Sequence, residues 1–153
     1  MSMMPEEPGD APLEKEKYML QNAKKLVIMG AGAAVQKYGK ALNDEQELLL
    51  NVADMVSEIY NMEAAIARTE KAIEKNGADK ETMKLLYTEV IVEEGLQNIE
   101  ADAKESLIHM EEGDTLRTML SMVRKLTRRT PANLIKTKRE IAERVLQEKK
   151  YIV

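Results

Sequence analysis

Apolar residues recur three or four positions apart along almost the whole chain, and the pattern resets at a few short polar breaks. Leu20, Ala23, Val27, Gly30, Ala34, Tyr38 and Ala41 share one face of a helix predicted over about Glu14 to Lys40. A second line, Leu48, Val52, Met55, Ile59, Met62, Ile66, Thr69 and Ile73, steps alternately by four and three, the spacing of a heptad seam. Asp44, with Glu47 three residues on, predicts its N-terminal cap, and Asn76-Gly77 predicts a left-handed stop. Leu85, Val92, Leu96, Ile99, Ala103, Leu107 and Met110 mark a third helix, about Lys80 to Glu112, capped by Asp79. Gly113-Asp114 ends that helix and caps a fourth, about Thr115 to Arg129, with Leu116, Met119, Leu120, Val123 and Leu126 inward. Thr130-Pro131 reads as a restart, Thr as N-cap and Pro in the first turn. A fifth helix then runs to about Lys149 with Leu134, Ile141 and Val145 inward.

No Asn-Gly or Asp-Gly pair sits between alternating apolar residues, so no hairpin is predicted. Short connections make sequential helices antiparallel neighbours. The predicted fold is therefore all-α: an up-down bundle of three long helices plus two shorter C-terminal ones, which together cover what a fourth long helix would cover. Residues 13–153 form the bundle domain, and Met1–Pro12, with three prolines at Pro5, Pro8 and Pro12, is read as a tail or linker.

Composition narrows the function classes. The 153 residues include no cysteine, which excludes disulfides, thiolate nucleophiles and zinc–sulfur sites. No apolar run approaches the roughly 20 residues that span a bilayer, no secretory signal is present, and a cytoplasmic location is expected. Charge is uneven. Met1–Asp114 carries 12 Lys+Arg against 24 Asp+Glu, a net of −12, whereas Thr115–Val153 carries 11 against 3, a net of +8.

The stretch KKLVIMGAGAAVQKYGKAL, Lys24–Leu42, superficially resembles the Gly-rich turn of a dinucleotide fold. Val35 stands where a third small residue is needed, and Asp54, at the distance of the ribose-binding acid, lies inside the heptad helix. The mechanical reading is preferred. Gly30, Ala31, Gly32, Ala33 and Ala34 remove bulk over nearly two helical turns and let a neighbouring helix approach closely. Two helix-interior glycines cost on the order of 1 kcal/mol each relative to alanine, so close contact is expected to offset them.

No chemistry-bearing constellation stands out, and no catalytic, cofactor-binding or metal-ligating residue is assigned. A carboxylate-bridged metal site in a bundle needs two Glu-x-x-His motifs, but the chain has one histidine, His109, preceded at three residues by Ser106. His109 is read as a partly exposed polar residue. Glu93-Glu94 and Glu111-Glu112 point about 100° apart within each pair and are read as solvated faces. The basic C-terminal stretch has two readings. Arg124, Lys125, Arg128, Arg129, Lys136, Lys138 and Arg139 either dock on acidic helices or form an anion or partner surface. A pI near 5.3 and the lack of interleaved aromatics argue against nucleic acid.

Several long blocks carry a resemblance. AAVQKYGKALNDEQELLLNVADMVSEIYNMEAAIARTEKAI, LLYTEVIVEEGLQNIEADAKESLI, EEGDTLRTMLSMVRKLTRRTPANLI and KREIAERVLQEKKYIV resemble the C-terminal extension of acyl-CoA dehydrogenases of the very-long-chain type and their bacterial relatives. The resemblance runs from about Leu13 to Val153. It implies a helical domain packed against an FAD-dependent catalytic core that oxidises acyl-CoA thioesters to the 2-enoyl form in fatty-acid β-oxidation. The family's flavin pocket and glutamate base lie upstream of the extension, so no such residue carries over. The implied partners are that core or another subunit, a second copy of the chain, or an anionic membrane surface to which the domain would be peripheral.

Overall fold

The computed structural model describes residues 8–149, so the residues at either end, including Lys150 and the first part of the Met1–Pro12 segment, lie outside it. Five α-helices and no strand occur among the described residues: α1 Glu14–Tyr38, α2 Gln46–Asn76, α3 Thr82–Met110, α4 Gly113–Thr127 and α5 Leu134–Glu148. The all-α prediction holds. Short 3-10 turns, Gly39–Asp44 and Ala78–Lys80, join the three long helices.

The heptad line of α2 is the spine of the core. Met55 and Met62 are fully buried, and Leu48, Ile66 and Thr69 nearly so, with Val52 and Ile59 packed at the margin. Facing them are Leu20, Ala23 and Leu26 of α1 and Val92, Leu96, Ile99, Ala103 and Leu107 of α3. A fully buried side chain of this size contributes about 1.5–3 kcal/mol, so this stripe carries most of the stability. Cross-helix bonds confirm the antiparallel order. Thr69 and Thr88 share a buried hydroxyl pair at 2.7 Å, Asn51 donates to Ser106 and Glu105, and Asn98 donates to Glu58.

Helix ends depart from the predictions. Asp44 falls in the 3-10 turn, and the residue before α2 is Glu45, which makes no side-chain cap. Asp79 likewise sits in a 3-10 turn rather than capping α3. Gly77 does stop α2, at φ 86°, with its N–H on the Ile73 carbonyl at 2.8 Å. At the α3–α4 corner Glu111 and Glu112 are extended, Gly113 takes φ 61°, and Asp114 pairs with Arg117 instead of capping. Thr130-Pro131 does not begin α5. Asn133 caps it, its side-chain oxygen accepting from Lys136 N–H at 3.1 Å. At each of the four N-termini the polar residue with cap chemistry stands one to three residues from the actual cap position. Packing of the apolar stripe chose which turn stops.

The C-terminal pair also differs from a split fourth helix. α4 packs on α1 and α3, while α5 rests on α3. Its predicted inward residues Leu134, Ile141 and Val145 are only half-buried, and Thr137 is its one buried residue. α5 is therefore an outer layer on α3. No helix among the described residues is long and apolar enough to cross a membrane.

Candidate functional site

Polar contacts tie α5 and the link before it to α3, alongside the half-buried Leu134, Ile141 and Val145. The short link between α4 and α5 carries Arg129, whose guanidinium donates to both oxygens of Glu93 in α3, Nε–Oε2 at 3.0 Å and Nη2–Oε1 at 2.7 Å. Glu93 is buried, at 1% exposure, and the Arg129 side chain is nearly so, at 10%. Arg129 Nη1 also donates to the Thr127 carbonyl at the end of α4, and Gln97 reaches Glu93 at 3.3 Å. Burial alone would raise the Glu93 carboxyl. The Arg129 hydrogen bonds and charge, with Gln97 and the Ala132 N–H, overcome it and hold Glu93 below its ordinary value. Reading Glu93 as part of a solvated face was wrong. Its neighbour Glu94 does face solvent and pairs with Lys138 of α5.

The basic residues therefore divide. Arg129 is spent inside the molecule and Lys138 is paired at the surface, as is Arg144, which reaches Glu140 and the Thr82 hydroxyl. Arg124, Lys125, Arg128, Lys136 and Arg139 are exposed and form no ion pair among the described residues. They spread over α4, the link and α5, so the structure separates the sequence-adjacent cluster into one lock and several solvent-facing cations.

The small-residue stretch divides too. Gly30, Ala33 and Ala34 are buried, and a Cβ on Gly30 would meet Met55 Cε at an ordinary 3.7 Å. Ala31 is half-buried, and Gly32 is exposed with nothing within 4 Å of the place its Cβ would take. The tight approach lies elsewhere. In α3, a Cβ on Gly95 would stand 2.8 Å from Met62 Cγ and 2.9 Å from its sulfur. Along the sequence Gly95 is marked only as a lone glycine within an apolar helical pattern, a weaker signal than the five-residue run at Gly30–Ala34.

Acid chemistry is sparse. Among the described residues no group of His, Asp and Glu is placed to hold a metal ion. His109 is exposed, stacks on Tyr38, and lies 3.0 Å from Glu45. Burial, followed by the negative charges of Asp54, Glu105 and Glu58, raises Asp102 on the α2–α3 face. Burial also raises Glu16, against a backbone hydrogen bond, with Glu89 adding to the rise. A groove of about 650 Å³ opens between α2, α3 and α5, with Ile91 and Ile141 on its apolar side and Arg68 and Glu94 on its rim. None of these places joins a nucleophile to a base or a set of donors to a pocket.

Comparison with known proteins places the bundle in a family. The family model described as "Acyl-CoA dehydrogenase, C-terminal domain" matches residues 22–125. A probable acyl-CoA dehydrogenase of Bacillus subtilis (strain 168) is 58% identical over all 153 residues, which make up 26% of that protein. The crystal structure of an acyl-CoA dehydrogenase from Bacillus anthracis, complexed with FAD, superposes with a TM-score of 0.95 at 58% identity. That match covers 99% of this chain and 26% of the other. The chain thus spans about a quarter of the length of both relatives. With the helical architecture, the matched residues and these identities together, the chain belongs to the acyl-CoA dehydrogenase C-terminal domain family.

Proposed function

We propose that this chain is a non-catalytic accessory domain of an FAD-dependent acyl-CoA dehydrogenase of fatty-acid β-oxidation, and that it packs on the catalytic core or mediates subunit contacts. The observation that carries the reading is the near-complete superposition of this chain on one quarter of a much larger, FAD-complexed relative. A bundle of the same fold forms one part of that relative. On this reading, flavin binding and removal of the substrate α-proton fall to the remaining three quarters. The residues of this chain supply shape. The apolar α1–α2–α3 core gives a rigid body, and the Glu93–Arg129 lock fixes α4 and α5 to it. A cytoplasmic location goes with this reading.

The test is to delete the matching segment from the Bacillus subtilis relative and supply this chain separately. Loss of assembly or flavin retention on deletion, restored by the added chain, is expected. The chain alone should be colourless and should not oxidise an acyl-CoA with an artificial electron acceptor. A truncated enzyme unchanged in assembly, flavin content and activity would remove the proposed role, and stoichiometric flavin on the isolated chain would overturn its non-catalytic character.

A second reading, attachment to anionic membranes through α5, has one observation in its favour. Ile135 and Leu146 are 68% and 73% exposed on the helix that also presents Lys136 and Arg139. An amphipathic helix of that kind binds an anionic interface.

A further inference from the structure

The seam between α1 and α2 changes character halfway along. Lys17 pairs with Glu70 at 2.6 Å, and seven residues further on Lys24 pairs with Glu63 at 3.1 Å. One more heptad in the same antiparallel register sets Ala31 across from Val56, and there the charges stop. On the solvent side of that step stand Ile28, 72% exposed, Val35, 60%, Val56, 53%, and Tyr60, 73%. Ile28, Gly32 and Val35 are spaced by four and three and so form one line along α1. Val56 and Tyr60, four apart, form the facing line on α2. Gly32 lies in the middle of the strip, and no atom of the described residues requires it to lack a side chain.

We propose that this strip is the surface by which the domain seats on the catalytic part of an acyl-CoA dehydrogenase. The inference rests on the accessory-domain reading above and names the face it uses. The occupant fits three ways. The relatives extend nearly four times as far as this chain, so a large body is available to cover the strip. The strip is uncharged, which matches the charge-depleted, Tyr-enriched centre of a protein interface. It does not match a lipid headgroup surface, where cations would be needed. The gap at Gly32 admits a close-approaching ridge from the partner, flanked by Ile28 and Val35. Two other large exposed apolar side chains stand among charges. Ile135 lies beside Lys136 and Lys138, and Ile108 lies near Glu105, Glu111 and Glu112.

The chain has no cysteine, so single thiols can be placed without background. Ile28→Cys and Val56→Cys report on the strip, and Ile108→Cys and Leu146→Cys report on other faces. Each is alkylated in the isolated chain and after exchange of this segment into the Bacillus subtilis relative, and the modified peptides are counted by mass spectrometry. Thiol reactivity follows exposure, and the expected result is that the two strip positions react about tenfold or more slowly in the exchanged enzyme while the other two are unchanged. Protection at Leu146→Cys or Ile108→Cys, with the strip still reactive, overturns this face but leaves the accessory-domain reading standing. Unchanged rates at all four positions overturn both. Protection of the strip in the isolated chain that grows with its concentration makes a second copy the occupant and also overturns the proposal.

Discussion

Replacing Arg129 by methionine keeps the length of the side chain and removes its charge, leaving Glu93 at 1% exposure without its main partner. Two of the bonds to Glu93, at 3.0 and 2.7 Å, vanish, and only Gln97 and the Ala132 N–H remain. Breaking a buried pair by removing one member costs about 3–5 kcal/mol, because the survivor is charged and desolvated. Native stability is about 5–15 kcal/mol, so the loss is a large share of the whole. The link can loosen and admit water to Glu93, so about 3 kcal/mol is the better expectation. Urea unfolding followed by far-UV circular dichroism at neutral pH should show it as a lower midpoint. Removing both charges, with Glu93→Leu and Arg129→Met together, should recover most of the loss. The pH dependence has a definite sign. In the wild type Glu93 is held below its ordinary value, so its stabilisation is present above the unfolded carboxyl range and fades as pH falls through the lower folded value. In Arg129→Met desolvation dominates and the carboxyl rises, so acid relieves the variant while it weakens the wild type. The gap between them should shrink from pH 7 to about pH 4. An Arg129→Met midpoint equal to the wild type at neutral pH would refute the lock, and a gap independent of pH would show that the loss comes from packing alone.

Three further outcomes follow from the same geometry. Gly95→Ala should destabilise by about 1–3 kcal/mol by overpacking against buried Met62, reduced by its helix-propensity gain, whereas Gly32→Ala should raise the thermal midpoint of the isolated chain by up to about 1 kcal/mol in stability. Equal effects at the two glycines would contradict the packing described for α3. Replacing Lys136, Lys138 and Arg139 by glutamine removes one exposed pair, Lys138–Glu94, and should cost no more than about 1 kcal/mol. Co-sedimentation with anionic liposomes at low salt tests the membrane reading, which fails if the wild-type chain stays in solution. Asp102→Asn should stabilise the chain at neutral pH and have little effect in acid. A carboxyl raised by burial and by Asp54, Glu105 and Glu58 favours the fold below its unfolded value and loses that contribution as pH rises through the folded one. Thermal melts showing the reverse order would sink this account.

Sequence by itself determined that five helices form and which faces of the three long ones turn inward. The four-three spacing of Leu48 to Ile73 is a local geometric fact, because any helix carrying it has an apolar stripe, and that stripe is buried in α2. The family resemblance was legible for the same reason that motifs were not. It is spread over long blocks, whereas Gly30–Ala34 only imitates a short fingerprint. Tertiary structure alone decided what depends on distance across the bundle. Glu93 and Arg129 are 36 residues apart, and nothing in either neighbourhood marks one acid of an acidic pair as buried and one cation of a basic run as its partner. Gly32 and Gly95 both stand inside long helices, yet one faces open space and the other faces Met62. Periodicity says which side of a helix is apolar. The neighbouring helix that arrives there, and how closely, depends on side chains far away in sequence, because packing is a property of two surfaces together.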